Sequence, residues 1–95
     1  MTEIREGRPA DLPRLRAIQS ALAEPWPELL ETAANGPPPL YVLEDGQPVG
    51  YAIVVGEDEG VAYLPEFAVH PDEQRQGYGS ELLAWLCDRL ADDYA

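Results

Sequence analysis

Residues 64–90, LPEFAVHPDEQRQGYGSELLAWLCDRL, pass from a strand pattern through a glycine turn into a helical pattern, and this order constrains the fold more than any other stretch. The run VAYLPEFAV at 61–69 is rich in β-branched, aromatic and aliphatic residues and has no helical period, which predicts a largely buried strand. His70, Pro71 and Asp72 end it. From Gly79 onward Leu82, Leu83, Leu86 and Leu90 recur at i, i+1, i+4 and i+8, which predicts a helix packed by that face. Cys87, one turn after Leu83, is expected on the packed side, where a buried thiol behaves as a small hydrophobe.

Between strand and helix lies QRQGYGS at 74–80. Gly77 and Gly79 permit positive φ or close backbone approach where the first helical N–H groups have no intrahelical acceptor. An anion suits that position, because the helix dipole adds about half a positive charge there and a glycine keeps Cβ atoms out of the way. Arg75 adds a full charge beside it. A Gly-x-Gly turn also occurs simply to tighten a strand-to-helix connection, so the turn alone leaves both readings open.

At 95 residues the chain holds one domain, 1–95, with a modest core. No apolar run approaches the ~20 residues needed to cross a bilayer, so no membrane role is expected. The first residues lack the pattern of a secretory signal and the single Cys87 forms no internal disulfide, which makes a cytoplasmic location the expectation. The charge balance is extreme: 18 acidic residues against 6 arginines, no lysine, and a net charge of −12. Such a chain repels nucleic-acid phosphates, and no nucleic-acid partner is expected. The same composition suits high salt, where screening removes much of the self-repulsion. It predicts that the melting temperature rises with molar salt, and a flat or falling trend in a thermal melt would remove the halophilic reading.

In chain order, residues 2–6 alternate polar and apolar as a first strand. Asp11 is a candidate N-cap for a helix from about 12 to 23 carried by Leu12, Leu15, Ile18 and Leu22. Pro27 opens a second short helix through Ala33 that Asn35 and Gly36 close, and Pro37, Pro38 and Pro39 form a stiff spacer. Trp26 reads as a packing residue over the sheet or as part of an acceptor cleft. Residues 40–43 and 48–55 read as two strands joined by an Asp45-Gly46 hairpin turn, and 56–60 as a second, acidic turn into the strand at 61–69.

The match Gln74-x-x-Gly77-x-Gly79, after Phe67, Ala68, Val69, His70 and Pro71 and before Leu82 and Leu83, resembles the acetyl-CoA-binding signature of the GNAT superfamily of N-acyltransferases over about thirty residues. The opening at Ile4, Arg5, Asp11, Leu12, Pro13 and Leu15, and the stretch Val49, Gly50, Tyr51, Ala52, are also similar to GNAT domains. The resemblance implies an α/β (α+β) fold, β-α-α-β-β-β-α with a mainly antiparallel sheet. It implies transfer of an acetyl group from acetyl-CoA to an amine acceptor of unknown identity, by direct attack in a ternary complex.

By resemblance, backbone groups of Phe67 and Val69 hold the pantetheine arm, and the N–H of Ala68 or Val69 donates to the thioester oxygen. Amides from Arg75 through Gln76, Gly77, Tyr78 and Gly79 to Ser80 take the pyrophosphate, with Gln74 opening the motif. Glu66 is the candidate general base, weighed against a solvated strand carboxylate; alternation turns Glu66 and Ala68 to the face opposite Phe67 and Val69. His70 reads as a turn residue before a base. GNAT domains normally continue past this helix with a fifth strand and beyond, whereas this sequence runs only to Ala95. A homodimer that covers the strand edge is therefore expected, and a non-catalytic acyl-CoA-binding or interaction module is the alternative function.

Overall fold

The computed structural model describes residues 2–56 and 62–94. Strand β1 (Glu3–Glu6) leads through a 3-10 turn (Pro9–Asp11) into helix α1 (Leu12–Gln19), followed by α2 (Pro27–Ala34). Strands β2 (Leu40–Glu44), β3 (Pro48–Gly56) and β4 (Ala62–Val69) come next, and a 3-10 turn (Pro71–Glu73) precedes helix α3 (Tyr78–Tyr94). All four strands form one antiparallel sheet in the order β1-β2-β3-β4. The expected β-α-α-β-β-β-α order is the observed one. No helix among the described residues is long and apolar enough to cross a membrane.

Period-two alternation along β2 and β3 sends side chains to both faces of the sheet, and both faces are covered. On one face Leu15 and Ile18 of α1 and Leu30, Ala33 and Ala34 of α2 pack on Val42, Tyr51, Ile53 and Ala68. On the other, Leu82 and Leu86 of α3 pack on Tyr41, Leu43, Val49, Ala52 and Val54. Burying each large aliphatic side chain contributes roughly 1.5–3 kcal/mol, so the sheet is clamped from both sides.

The face of α3 differs from the expected one. Leu82 and Leu86 are fully buried, Tyr78 and Trp85 flank them, and Leu83 stands 47% exposed. The stripe that meets the sheet follows 78, 82, 85 and 86, and residue 83 lies about 100° around the helix from 82. Cys87, four residues on from Leu83, follows it out to solvent and is exposed rather than packed. The Trp85 ring meets Tyr41 edge-on at 5.1 Å between centroids, and the Arg89 guanidinium lies 5.5 Å from both ring centroids. These contacts fix the rotation of α3 on the sheet.

Helix α1 ends at Gln19 rather than 23: Ala21 and Leu22 bond back to Ile18 and Gln19 in a tight turn, and Pro25 disfavours helix in the residue before it. Asp11 does not cap α1 through its side chain. Its carboxylate accepts both Arg5 terminal nitrogens, at 2.8 and 2.9 Å, and the Arg8 amide. That bidentate pairing holds the Asp11 carboxyl below its usual range, with Arg5 the leading cause. Arg5 also donates to Glu44, so one guanidinium ties β1, β2 and the start of α1 together.

The Asn35-Gly36 closure of α2 is as expected, with Gly36 at φ +56°, and so is the Asp45-Gly46 hairpin, with Gly46 at φ +78°. The Pro37-Pro38 bond is cis. Val61 and most of the acidic turn expected at 56–60 lie outside the described residues.

Candidate functional site

Strand β4, one of the two edge strands of the sheet among the described residues, leads into the glycine turn. Its register sets Gly50 opposite Val69, Tyr51 opposite Ala68, Ala52 opposite Phe67 and Ile53 opposite Glu66. The His70 amide donates to the Val49 carbonyl at 2.8 Å. In an antiparallel ladder bonded pairs alternate along the strand. Counting back from His70, Ala68 and Glu66 direct their backbone groups at β3, while Phe67 and Val69 direct theirs at the open edge. Of the two amides expected to reach a thioester oxygen, only that of Val69 faces outward. The Val69 carbonyl accepts from Gln74 Nε2 at 3.3 Å, which ties the turn back to the strand end. Pro65, which has no N–H, sits where the β3–β4 register shifts, a place edge strands tolerate it.

Beyond β4 the His70 ring accepts the Asp72 amide at Nδ1, and the His70 carbonyl accepts the Glu73 amide. His70 is thus the turn residue that the sequence suggested. Arg75 then adopts φ +71° and Gly77 φ +82°. Both residues thus lie in the left-handed region, which glycine adopts without strain and arginine rarely does. The amide of Glu81 makes the first helical bond, to the Gly77 carbonyl, and by helix geometry the N–H groups of residues 78–80 have no partner within α3. A cavity of about 460 Å³ opens here, lined by Val69, residues 73–75 and residues 77–80. Gln76 is exposed and outside that lining.

The two glycines do different work. A Cβ at Gly77 would meet no protein atom within 4 Å and would project into open space. At Gly79 a Cβ would touch Val69 and Phe67 at 3.7 and 3.8 Å, ordinary contact, so α3 starts close against β4 with room for a side-chain carbon there. Tyr78 begins α3, and its hydroxyl donates to Asp45 Oδ2 at 2.5 Å, joining the glycine turn to the β2–β3 hairpin. That bond pushes the Tyr78 phenol up to about 12 and lowers the Asp45 carboxyl. Glu73 among the cavity walls and the Tyr78–Asp45 tie were not foreseen; nothing in the local sequence links positions 45 and 78.

Glu66 lies on the face opposite Phe67, as alternation required. It is 3% exposed, which excludes the solvated-carboxylate alternative. Gln19 Nε2 donates to Oε1 at 2.9 Å and to Oε2 at 3.2 Å, the Tyr51 hydroxyl to Oε1 at 2.8 Å, and the Trp26 amide to Oε2 at 2.8 Å. Burial, and then the bond to Glu66, raise the Tyr51 phenol far above its ordinary value, so it stays a donor. The Trp26 side chain is 55% exposed, so the packing role expected for it does not hold. Among the described residues no group of His, Cys, Asp and Glu forms a metal site.

The chain is thus an α/β domain with an antiparallel sheet, in which β4 runs through a positive-φ turn into the N-terminus of α3. The chain belongs to the acetyltransferase (GNAT) family, whose model matches residues 4–94. Among solved structures it is similar to the ribosomal-protein-S18-alanine N-acetyltransferase of Escherichia coli (TM-score 0.81, 32% identity, 98% of this chain and 61% of that one). It is also similar to Ard1 of Thermoplasma volcanium (TM-score 0.81, 25% identity, 96% and 64%). A third is N-acetylglutamate synthase of Neisseria gonorrhoeae complexed with coenzyme A and N-acetyl-glutamate (TM-score 0.78, 25% identity, 97% and 23%). The chain spans less than two thirds of the length of each. No curated protein matches it by sequence.

Proposed function

We propose that this domain transfers an acetyl group from acetyl-CoA to a primary amine by direct attack. The observation that carries the reading is the continuous backbone path from the outward groups of Phe67 and Val69 on β4 to the left-handed turn at Arg75 and Gly77. An extended amide-bearing arm pairs with a free strand edge. A pyrophosphate suits amides 75–80 at a helix N-terminus. Gly77 fits that use, since its missing Cβ leaves open space where the phosphates must pass. Arg75 supplies the cation, and Gln74, bonded to Val69, holds the turn in register with the strand. Gln76, at the exposed rim, contributes its backbone amide.

Bound acetyl-CoA supplies a thioester. The neutral amine nitrogen forms a bond to the thioester carbon, the carbon–sulfur bond breaks, and the thiolate leaves with a proton from the nitrogen. The Val69 amide stabilises the oxygen that gains charge, a role in which one donor is worth about 2.7–4 kcal/mol. The net charge of −12 favours a cationic amine over an anionic acceptor near this edge.

The reading is tested by thiol release from acetyl-CoA with alanyl peptides, glutamate, polyamine and lysine as acceptors, beside direct CoA binding. Amine-dependent release is the expected result. CoA binding without release with any amine would favour the binding module instead, and the absence of binding would end both.

A further inference from the structure

Tyr78 is the one residue of the segment 77–79 that carries a side chain, since Gly77 and Gly79 flank it. Its backbone bears one of the N–H groups at residues 78–80 that meet no acceptor within α3. Its ring packs against the core cluster that includes Tyr41, Leu43 and Val49, and its hydroxyl donates to Asp45 Oδ2 at 2.5 Å, 33 residues away in sequence. A hydroxyl bonded this closely to a carboxylate belongs to the stronger class of hydrogen bonds. Asp45 is itself held in place: its amide donates to the Gln47 carbonyl at 2.9 Å across the hairpin turn at Gly46.

Two further bonds tie the same segment. Gln74 Nε2 donates to the Val69 carbonyl at 3.3 Å, and the Thr2 hydroxyl donates to the Glu81 carboxylate; both lie in exposed positions. The Tyr78–Asp45 bond is the part-buried one of the three, and it sits between the two glycines. Glycine backbone has more conformational freedom to lose than any other. An anchor between Gly77 and Gly79 therefore does most to hold amides 78–80 in one direction beside the cavity of about 460 Å³.

We propose that Tyr78 is a positioning residue for the coenzyme pyrophosphate, its hydroxyl fixing amides 78–80 to the β2–β3 hairpin through Asp45. The inference rests on the acetyl-CoA reading of the same turn. Tyr78 acts through Asp45, and its hydroxyl needs no contact with the coenzyme. Phenylalanine in its place keeps the packing of the ring and loses only the anchor.

The test compares wild type, Tyr78→Phe, Asp45→Ala and the double variant by calorimetric titration with CoA, amide hydrogen exchange and kinetics in acetyl-CoA. Tyr78→Phe should weaken CoA binding by about fivefold to twentyfold and raise KM for acetyl-CoA by a similar factor, with kcat changed by less than about twofold. In the Asp45→Ala background the same substitution should cost less than about twofold, because the partner is already gone. Before any ligand is added, Tyr78→Phe should exchange the Glu81 amide, whose bond to the Gly77 carbonyl opens α3, at least about fivefold faster. The Gly7 amide, bonded to the Leu40 carbonyl between β1 and β2, should exchange as in wild type. Tyr78→Phe keeps the ring, so the affinity and exchange measurements stand even if Asp45→Ala fails to fold. Unchanged CoA affinity in Tyr78→Phe would overturn the proposal. An equal loss in both backgrounds would make the hydroxyl a direct ligand of the coenzyme and overturn it as well, and faster exchange at both amides would reduce Tyr78 to a stability role. Wild type that binds no CoA would defeat the acetyl-CoA reading, while Glu81 exchange would still decide whether Tyr78 anchors the turn.

Discussion

Gly77→Val removes CoA binding, by at least about a hundredfold, while the domain stays folded. A hundredfold is about 2.7 kcal/mol, and two effects combine to reach it. The new side chain projects into the space over the turn, where no protein atom lies within 4 Å, and so fills the path of the phosphates. A β-branched residue also resists φ +82°, which disturbs the turn that leads into α3. The conformational cost of about 1–3 kcal/mol is below the 5–15 kcal/mol that holds a domain together, so the fold survives. Calorimetric titration with CoA, beside circular dichroism, separates the two. Affinity retained within a few-fold would show that the turn only connects β4 to α3.

Leu82→Ala destabilises the domain by about 2–5 kcal/mol, whereas Leu83→Ala changes stability by less than about 0.5 kcal/mol. Leu82 is fully buried against the sheet and Leu83 stands 47% exposed, although they are neighbours of the same type. Urea unfolding of both variants reads the difference directly. Equal losses would mean that α3 sits on the sheet by a face including 83, and that the seat formed by Tyr41, Trp85 and Arg89 does not set its rotation.

The leucine pair marks where the sequence stops being legible. Periodicity identified α3 and its apolar side, but 82 and 83 are separated by a rotation that only the partner surface decides. Trp85 against Tyr41 decides it, and these two are far apart in sequence. Cys87 was misplaced for the same reason, having been referred to Leu83. Element order, the Asp45-Gly46 hairpin and the Asn35-Gly36 closure are readable because each rests on residues near one another in sequence. The glycine turn was readable too, since φ > 0 at Gly77 is a local requirement, although nothing local predicts the same conformation at Arg75.

Glu66 shows the opposite limit. Its strand and face were legible from alternation, but its chemistry depends on Gln19, Trp26 and Tyr51, which lie 47, 40 and 15 residues away. Nothing in the neighbourhood of Glu66 separates a solvated carboxylate, a base and a buried acceptor of three donors. Trp26 was misjudged with it: an aromatic between two prolines reads as packing, and only the bond from its amide to Glu66 shows that the backbone is anchored while the ring stays exposed. Asp11 likewise suited a helix cap until Arg5 claimed both its oxygens.

The account stands on the strand edge and turn holding acyl-CoA, and a thermal-shift titration of the wild-type domain with CoA tests that most directly. A ligand bound only by the folded state adds about 2.7 kcal/mol at a hundredfold excess over its Kd, which for a domain of this size is a rise of roughly 10 °C or more. The melting temperature is expected to climb with the logarithm of CoA concentration in wild type and to stay flat in Gly77→Val. A wild-type melting temperature that does not move at millimolar CoA would contradict the account.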